Sequence, residues 1–424
     1  MLKRLNSKSD FNKNILTLMT GTTLAQAIPI AISPILTRIY TPEDFGLYAI
    51  FVAIVAIFGS VVNGRYDQAI MLPKRDEDAI NIFALGFIIS CGVSLLLLIT
   101  VVLFNDYFTK LLLNDDIGLW LYFVPLAVFL TGIFNLLNYF NTRKKYYKDL
   151  ATATIIRSLL TGIIQLSLGF TKQGATGLIS GQMISQFFEN TILLKNLIKN
   201  KELIFKISKE KIIALAKRYR EIPKYSILAT LSNTLAHRLT NILISSFYSV
   251  ATLGFYSLVQ RVLGVPSSLI GHSIGQVFFQ EATKEKHETG QAINTFSKTV
   301  KKLIIIGLPS FTILFFTVEE LFAFMFSEEW RIAGVYAKIV IPWVFISFVV
   351  STVSFIDILM EKQKKYLIFN ITLIIFTILV IYLSRELTFD KFLQNYTIVM
   401  SIIYSVYGYT LYKTAKFKVV KKNE

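Results

Sequence analysis

Cysteine and histidine are scarce in this chain of 424 residues, which has only Cys91 and the three histidines His237, His272 and His287. A single cysteine excludes an intramolecular disulfide framework and a cysteine zinc site. Three scattered histidines leave little for a histidine-based metal centre. We therefore expect the protein to hold no metal and no cofactor.

The short motifs of common catalytic sites are also missing. The chain has no Gly-rich Lys-Ser/Thr phosphate loop, no HExxH and no GxSxG sequence. Glu319, Glu320, Glu328 and Glu329 form the main carboxylate cluster in a connection predicted to face outwards. We interpret this cluster as a solvated acidic rim, and we predict that the protein is not an enzyme.

Charged residues make up only 17% of the chain, whereas 54% are hydrophobic and the mean hydropathy is +0.56. So apolar a chain could not cover the surface of soluble domains. A helix that crosses a bilayer needs about 20 mostly apolar residues. Twelve such runs appear, at 14–39, 45–71, 79–104, 118–139, 151–170, 174–194, 223–247, 251–279, 303–326, 333–358, 366–384 and 393–412.

The first run could be either a signal peptide or a transmembrane helix, because Ala25-Gln26-Ala27 resembles the cleavage site of a signal peptide. The run is interrupted by threonines before this point, and apolar sequence continues to Ile39. We therefore favour an uncleaved first helix.

Lys and Arg are distributed unevenly between the runs. Alternate connections, starting with the N-terminus, hold 33 of the 44 Lys and Arg residues, and the other connections hold five. Because Lys and Arg are enriched in cytoplasmic loops, we place both termini and the segment 195–222 in the cytoplasm. This distribution accounts for the net charge of +17 without a nucleic-acid partner. The basic segment 195–222 is typical of an amphipathic helix on anionic lipid headgroups, with a protein-binding site as the alternative.

A short motif occurs twice, at an offset of 208 residues, and each copy joins the first and second helices of a six-helix half. The copies are Tyr40, Gly46, Leu47, Tyr48, Ala49 and Tyr248, Gly254, Phe255, Tyr256, Ser257. We predict an all-α integral membrane protein, with twelve transmembrane helices in two six-helix lobes related by pseudo-two-fold symmetry along the membrane normal. The predicted domains are the lobe 1–198, the basic cytoplasmic connector 199–222 and the lobe 223–424.

Polar side chains recur at helical spacing inside several runs. They include Asn233, His237, Arg238 and Asn241 on the seventh run, Gln260 and Arg261 on the eighth, Arg157 on the fifth, Glu189 on the sixth, and Asp67 with Arg65 beside it on the second. Serines, threonines and glycines suit helix packing, but a charge near mid-membrane is costly and usually faces a cavity or a partner.

We favour a water-filled cationic cavity for Arg238 and Arg261. For Arg65 and Arg157, pairing with Asp67 and Glu189 is an equal alternative. Such a cavity suits an anionic substrate such as a phosphate, which guanidinium groups bind bidentately. Prolines and glycines in the first and eighth runs provide places to bend. We therefore expect alternating access, in which the halves move about the site.

The same residues carry a family resemblance. The sequence from Leu36 to Tyr48, LTRIYTPEDFGLY, resembles the first-hairpin signature of the Wzx-type oligosaccharide flippases. These are the polysaccharide transporters of the multidrug/oligosaccharidyl-lipid/polysaccharide exporter superfamily. The stretch from Gly64 to Ile70, followed by Leu72 and Pro73, is similar to their second-helix ending. In the other half, the segment from Leu253 to Leu258 with Gln260, Arg261 and Pro266 looks like the matching stretch.

The resemblance implies a flippase of the bacterial cytoplasmic membrane that translocates oligosaccharides linked to undecaprenyl diphosphate, for lipopolysaccharide O-antigen, capsule or a similar polymer. Arg238 and Arg261 would hold the diphosphate, with Arg157 and Arg65 as weaker candidates. His237, Asn241, Gln260 and Asn233 would contact the sugar hydroxyls. Coupling to H⁺ or Na⁺ is implied, and the available carboxylates are Asp67, Glu189 and Asp357.

Three other interpretations stay open. A multidrug/cation antiporter of the same fold should carry a carboxylate deep in its cavity, where this chain has arginines. A membrane-embedded polysaccharide polymerase should have a large outer catalytic loop. A scaffold subunit would have closed helix packing at the polar stripes. A polymerase or another assembly protein is also a possible partner of the flippase.

Overall fold

A computed structural model describes the backbone of residues 2–112, 114–266 and 271–417, and side chains except those of residues 2–19, 266 and 272. The backbone in these ranges is helical with connecting turns. It forms two compact units, residues 1–246 (the first unit) and 247–424 (the second unit). The predicted domain boundaries at 198 and 222 stay predictions.

The first unit contains long helices and several short ones. They are α1 (Leu2–Ile39), α2 (Pro42–Gly59), α3 (Tyr66–Ala69), α4 (Asp76–Leu112), α5 (Gly118–Leu121), α6 (Val124–Arg143), α7 (Tyr147–Phe170), α8 (Ala175–Lys199), α9 (Lys201–Ile204), α10 (Lys209–Arg218) and α11 (Glu221–Phe247), whose last residue belongs to the second unit. α1 lies along α7, α7 lies along α8, and α6 packs between α4 and α8, with α2 on α6 and α8.

The second unit has the remaining helices. They are α12 (Val250–Pro266), α13 (His272–Thr289), α14 (Ile293–Phe326), α15 (Arg331–Val353), α16 (Phe355–Leu359), α17 (Gln363–Ser384) and α18 (Phe389–Lys416), with a 3₁₀ turn at Glu328–Trp330. α15 packs against α12, α14 and α18, and α17 packs against α18. Aromatic rings pack together in this unit, where Tyr336 and Tyr256 both make T-shaped contacts with Phe389.

The turn between α1 and α2 is held by the residues of the first-hairpin signature. Thr41 accepts a hydrogen bond from the Asp44 N–H, and the Thr41 N–H donates to the Asp44 carboxylate at 3.0 Å, which is a capping box with Pro42 in the first turn. The Tyr40 hydroxyl donates to the Gln165 carbonyl of α7 at 2.5 Å. A Cβ at Gly177 would clash with that hydroxyl. The signature therefore specifies the start of α2 and the packing of the end of α1 against α7 and α8.

The second copy of the motif makes a related contact inside the second unit. The Tyr248 hydroxyl donates to the Ser384 carbonyl, at the end of α17, at 2.8 Å. In each unit, the tyrosine that follows the first predicted run thus donates to a main-chain carbonyl near the end of the fifth run of the same half.

The second predicted run differs from the structure. The run 45–71 was expected to be one helix, and this prediction is wrong, because turns separate α2 from α3 and both Gly64 and Arg65 have φ near +60°. The Asn63 side-chain amide donates to Ser90 Oγ at 2.7 Å and to the Gly132 carbonyl at 3.1 Å. These contacts accompany the local break. The run 251–279 is covered by α12 and α13, and residues 267–270 between them lie outside the described part.

Seven helical segments of the described residues are long and apolar enough to cross a membrane. They are Pro42–Gly59, Asp76–Leu112, Gly118–Arg143, Tyr147–Phe170, Ile293–Phe326, Glu328–Leu359 and Gln363–Ser384. Helices α8 and α11 are not among these segments, and the helix at Val250–Val265 is apolar but shorter. The protein is therefore a multi-pass membrane protein, and the total of twelve crossings stays a prediction.

The basic connector is docked on the first unit. The Asn81 side chain, on α4, donates to the Lys206 carbonyl at 3.0 Å and accepts from the Ser208 N–H at 2.9 Å. The Tyr66 hydroxyl donates to the Ala216 carbonyl of α10 at 3.1 Å, beside the buried Leu215. The apolar face of α10 thus packs on protein, and its predicted contact with lipid headgroups would use the exposed cations Lys209, Lys217, Arg218 and Arg220.

Glu285 caps the start of α14 from the neighbouring α13, beyond the predicted span. Its carboxylate accepts hydrogen bonds from the N–H groups of Asn294 at 3.0 Å and Thr295 at 2.7 Å. Partial burial opposes ionisation, but the hydrogen bonds from Thr295 and Asn294 outweigh it and hold the pKa of Glu285 below its usual range. The carboxylate also faces the positive end of the α14 dipole.

We expect Glu285→Gln to lower stability by about 1 kcal/mol near neutral pH, the typical contribution of a helix cap. A depressed pKa contributes stability above the usual carboxylate pKa, and this contribution is lost as the pH falls through the folded-state value. Thermal unfolding in detergent should therefore show the wild type and the variant converging on acidification. The exposed Glu281→Gln on the same helix is the control, and a difference between wild type and Glu285→Gln that persists at low pH would contradict the assignment.

We also expect Tyr40→Phe and Tyr248→Phe each to lower the free energy of unfolding by about 1 kcal/mol, the net contribution of one hydrogen bond. Gly177→Ala should cost more than Tyr40→Phe, because the added methyl group collides with the tyrosine. Chemical or thermal unfolding measures both effects. Tyr382→Phe, at an exposed position, is the control, and an equal effect in that variant would contradict the role of the two hydroxyls.

Candidate functional site

Arg238 lies partly buried on α11 and has no carboxylate within ion-pair distance among the described residues. It lies close to Tyr48 of α2, whose hydroxyl donates to Gln182 Oε1 of α8 at 3.3 Å. Between residues 222 and 266 the chain contains no Asp or Glu. The guanidinium of Arg238 is therefore a partly buried cation that no acid of its own segment, and no carboxylate of the described residues, neutralises.

The other α11 candidates differ in exposure. His237 is exposed, Asn233 is partly buried, and Asn241 is buried with no hydrogen-bond partner for its Oδ1 among the described residues. Asn233 makes a polar interaction of its own. The predicted stripe thus contains both accessible and buried groups, and an unsatisfied buried amide oxygen is costly unless a further donor reaches it.

Arg157 on α7 forms an ion pair with Glu189 on α8, with Nη1 and Oε2 2.9 Å apart. The Glu189 side chain is 0% exposed and the Arg157 side chain is 25% exposed. Thr154 also bonds the carboxylate, and the guanidinium lies over the Phe134 ring, 5.9 Å from its centroid. The cation of this pair can be reached from outside the packed helices, and its acid cannot.

Arg65 and Asp67 form a looser pair, with Nη1 and Oδ2 3.8 Å apart. The same guanidinium donates to the Ser60 carbonyl at 3.2 Å, so Arg65 folds back on the turn that ends α2. Its backbone lies in the left-handed region, with φ +61°, which is uncommon for residues other than glycine. Both predicted charge pairs are present, and Arg65 and Arg157 are less available to an anion than Arg238.

Gln260 and Arg261 lie on α12 in the second unit, and both are partly buried. Gln260 is hydrogen-bonded to the Tyr256 hydroxyl one turn earlier on the helix. Arg261 is engaged by other groups of the protein. Their predicted contacts with a substrate stay predictions.

Asp357 on α16 is 1% exposed and accepts a hydrogen bond from the Tyr407 hydroxyl at 2.9 Å. Thr414 also bonds this carboxylate, and Lys365 interacts with it electrostatically. Sequence reasoning missed these partners, because Tyr407 and Thr414 are 50 and more residues away along the chain and carry no local signal.

The three carboxylates proposed for ion coupling share one feature. Each is buried, and each has one oxygen without a hydrogen-bond partner among the described residues, namely Asp67 Oδ1, Glu189 Oε1 and Asp357 Oδ1. A buried unpaired carboxylate oxygen is a place where a proton or a small cation can bind. In the described residues, no group of three His, Cys, Asp or Glu side chains is arranged to hold a metal ion.

Comparison with known proteins identifies a family and a fold. The profile of a family described as "Polysaccharide biosynthesis protein" matches residues 35–334. The structure is similar to the lipid II flippase MurJ in an inward closed conformation, with a TM-score of 0.71, 12% identity and coverage of 93% of this chain and 87% of that chain. No curated protein matches the sequence.

Two MATE transporters have the same fold. An inward-facing MATE family transporter of the MOP superfamily has a TM-score of 0.59 at 14% identity, covering 94% of this chain and 93% of that chain. A Vibrio cholerae MATE transporter has a TM-score of 0.57 at 15% identity, covering 97% of this chain and 98% of that chain. At these identities the similarity shows the fold and not the substrate.

The Arg157–Glu189 ion pair should contribute to the free energy of unfolding. Arg157→Met should cost about 3–5 kcal/mol, because it leaves the fully buried carboxylate without its cation. The double variant Arg157→Met/Glu189→Leu should recover most of this loss, since two apolar side chains replace two charges. Unfolding of the two single variants and the double variant gives the coupling energy, and additive effects would show that the pair does not interact.

Proposed function

Because the chain belongs to the polysaccharide biosynthesis protein family, whose profile matches residues 35–334, we propose that it is a flippase for lipid-linked oligosaccharides. Its substrate is a polyprenyl-diphosphate-linked unit of O-antigen, capsule or a similar polymer, moved across the bacterial cytoplasmic membrane by alternating access. The protein lies in this membrane with both termini in the cytoplasm. It is a transporter and not an enzyme.

The observation that carries the proposal is the state of Arg238. It is a partly buried cation with no carboxylate within ion-pair distance in the part of the chain that the structure describes, and such a group favours an anionic ligand. A diphosphate presents several oxygen acceptors, and the planar guanidinium matches two of them at once. Arg238 and Arg261 hold the diphosphate, and His237, Asn233, Asn241 and Gln260 bond the sugar hydroxyls.

Arg157 and Glu189 link the substrate to ion coupling in this proposal. A diphosphate that bonds the accessible face of Arg157 competes with Glu189 for the guanidinium. A carboxylate that loses its cation in a buried position binds a proton more readily. Glu189 is therefore our first candidate for coupling to H⁺, and Asp67 and Asp357 are the alternatives.

Export of a cationic drug is the second candidate function, and the similarity to MATE transporters favours it. The absence of Asp and Glu between residues 222 and 266, where Arg238 and Arg261 lie, argues against a cation there. Like charges repel in a site of low dielectric constant.

We expect Arg238→Ala to lower surface polysaccharide about 10-fold to 100-fold at normal protein levels, because a hydrogen bond to a charged group contributes roughly 1.5–3 kcal/mol. Arg238→Lys should be intermediate, since it keeps the charge and loses the planar fork. The measurement is complementation of a deletion strain, with surface polymer and accumulated lipid-linked oligosaccharide as readouts.

Arg331→Ala is the matched control. Arg331 pairs with Glu320 and Glu328 in an exposed cluster, so its loss should leave export unchanged. Normal export by both Arg238→Ala and the double variant Arg238→Ala/Arg261→Ala would refute the proposed binding role. Proton-driven export of ethidium by the purified protein in vesicles, with unchanged surface polymer in the deletion strain, would establish the antiporter instead.

A further inference from the structure

A long groove lies between α17 and α18 in the second unit, and none of the residues assigned above to the substrate lines it. Its volume is about 460 Å³, which is within the range of pockets that hold small ligands. The lining includes Lys365, Phe369, Phe376, Ile402, Val406 and Lys413. The walls are almost wholly apolar, and the charged groups that line the groove are the two lysines.

Both lysines lie at the same end of the groove. Lys365 is in the first turn of α17 and Lys413 is near the end of α18, and the two helices form an antiparallel hairpin. The distribution of Lys and Arg along the chain places this end in the cytoplasm. The groove thus has a cationic cytoplasmic mouth and a hydrocarbon-like body.

The length of the groove matches one leaflet of a bilayer. From Lys365 to Phe376 the axial distance is about 17 Å, at about 1.5 Å per residue. Half of the hydrocarbon core of a bilayer is roughly 15 Å thick. One acyl chain of a cytoplasmic-leaflet lipid therefore fits along the groove while its phosphate lies at the lysines.

Contacts around the mouth hold its shape. The Tyr407 ring stacks on Phe369, with centroids 3.9 Å apart and planes at 10°, and its hydroxyl donates to the buried Asp357. Lys365 Nζ donates one of its three N–H bonds to Thr414 Oγ1 at 2.7 Å. Because the carboxylate of Asp357 is buried and partly offsets the charge of Lys365, the mouth has a net positive charge.

Lys413 is the accessible cation of the pair. It is exposed, and its Nζ lies 4.6 Å from the centroid of the Tyr409 ring. Its ammonium can therefore bind a lipid headgroup at the membrane surface without breaking an ion pair with any carboxylate of the described residues. Basic pockets between helices on the cytoplasmic side are suited to anionic headgroups.

We propose that the α17–α18 groove is a binding site for an anionic phospholipid of the cytoplasmic leaflet, with the phosphate at Lys413 and Lys365 and one acyl chain along Phe369, Phe376, Ile402 and Val406. The bound lipid stabilises the second unit. This site is independent of the proposed flippase substrate.

The test compares lipids on the delipidated full-length protein in a neutral detergent. Phosphatidylglycerol and phosphatidylcholine with identical acyl chains are titrated separately, with thermal stability and native mass spectrometry as readouts. Phosphatidylglycerol should raise the melting temperature more than phosphatidylcholine and should remain bound. Glycerol 3-phosphate, which has the charge but no chain, should do neither.

Matched variants locate the effect. Lys413→Gln should reduce the preference for phosphatidylglycerol at least threefold in apparent affinity, and Lys413→Arg should keep it. Val406→Trp fills the groove and should weaken binding of both lipids. Lys391→Gln, at the opposite end of α18, is the control and should behave as the wild type.

Three results would overturn the proposal. One is an unchanged phosphatidylglycerol preference in Lys413→Gln and in Lys413→Gln/Lys365→Gln, and another is equal stabilisation by glycerol 3-phosphate. The third is unchanged lipid binding by Val406→Trp. Loss of the lipid preference in Lys413→Gln with normal polysaccharide export would support the site, whether or not the flippase function is correct.

Discussion

A polar or charged group between apolar helices needs a partner, and the first unit is arranged around this requirement. The amides of Asn63, Asn135 and Asn190 bond main-chain carbonyls on neighbouring helices, and Arg157 bonds Glu189. Each partner lies on a different helix from its group. Because an unpaired polar group costs more among apolar side chains than in water, these contacts specify which helix faces meet.

The proposed functional groups are those for which this requirement is not met. Arg238 has no acid beside it among the described residues, and one oxygen of each of Asp67, Glu189 and Asp357 has no partner. The first group favours an anion and the second favours a proton or a cation. A transporter that couples an anionic substrate to an ion gradient needs both kinds of group.

At the mouth of the α17–α18 groove, one buried acid, Asp357, fixes the position of an aromatic side chain that lines the groove. Asp357 orients Tyr407, and Tyr407 stacks on Phe369 to form the wall beside Lys365 and Lys413. The basic connector is held in a similar way, because Tyr66 bonds a main-chain carbonyl of α10 and Asn81 of α4 bonds main-chain atoms of Lys206 and Ser208 just before α10. In both places, contacts between residues far apart in the chain decide the position of basic residues near the membrane surface.

The sequence by itself determined the helical membrane class, the family and both possible charge pairs, because hydropathy and helical spacing are local properties of the chain. It also located the Tyr40 and Tyr248 motifs. Only the tertiary structure decided that the run 45–71 breaks at Gly64 and Arg65 and that both charge pairs form. It also decided that Arg238 has no acidic partner among the described residues. These outcomes depend on which helices become neighbours. That choice depends on packing between residues far apart in the chain, such as Tyr40 with Gln165 and Asp357 with Tyr407.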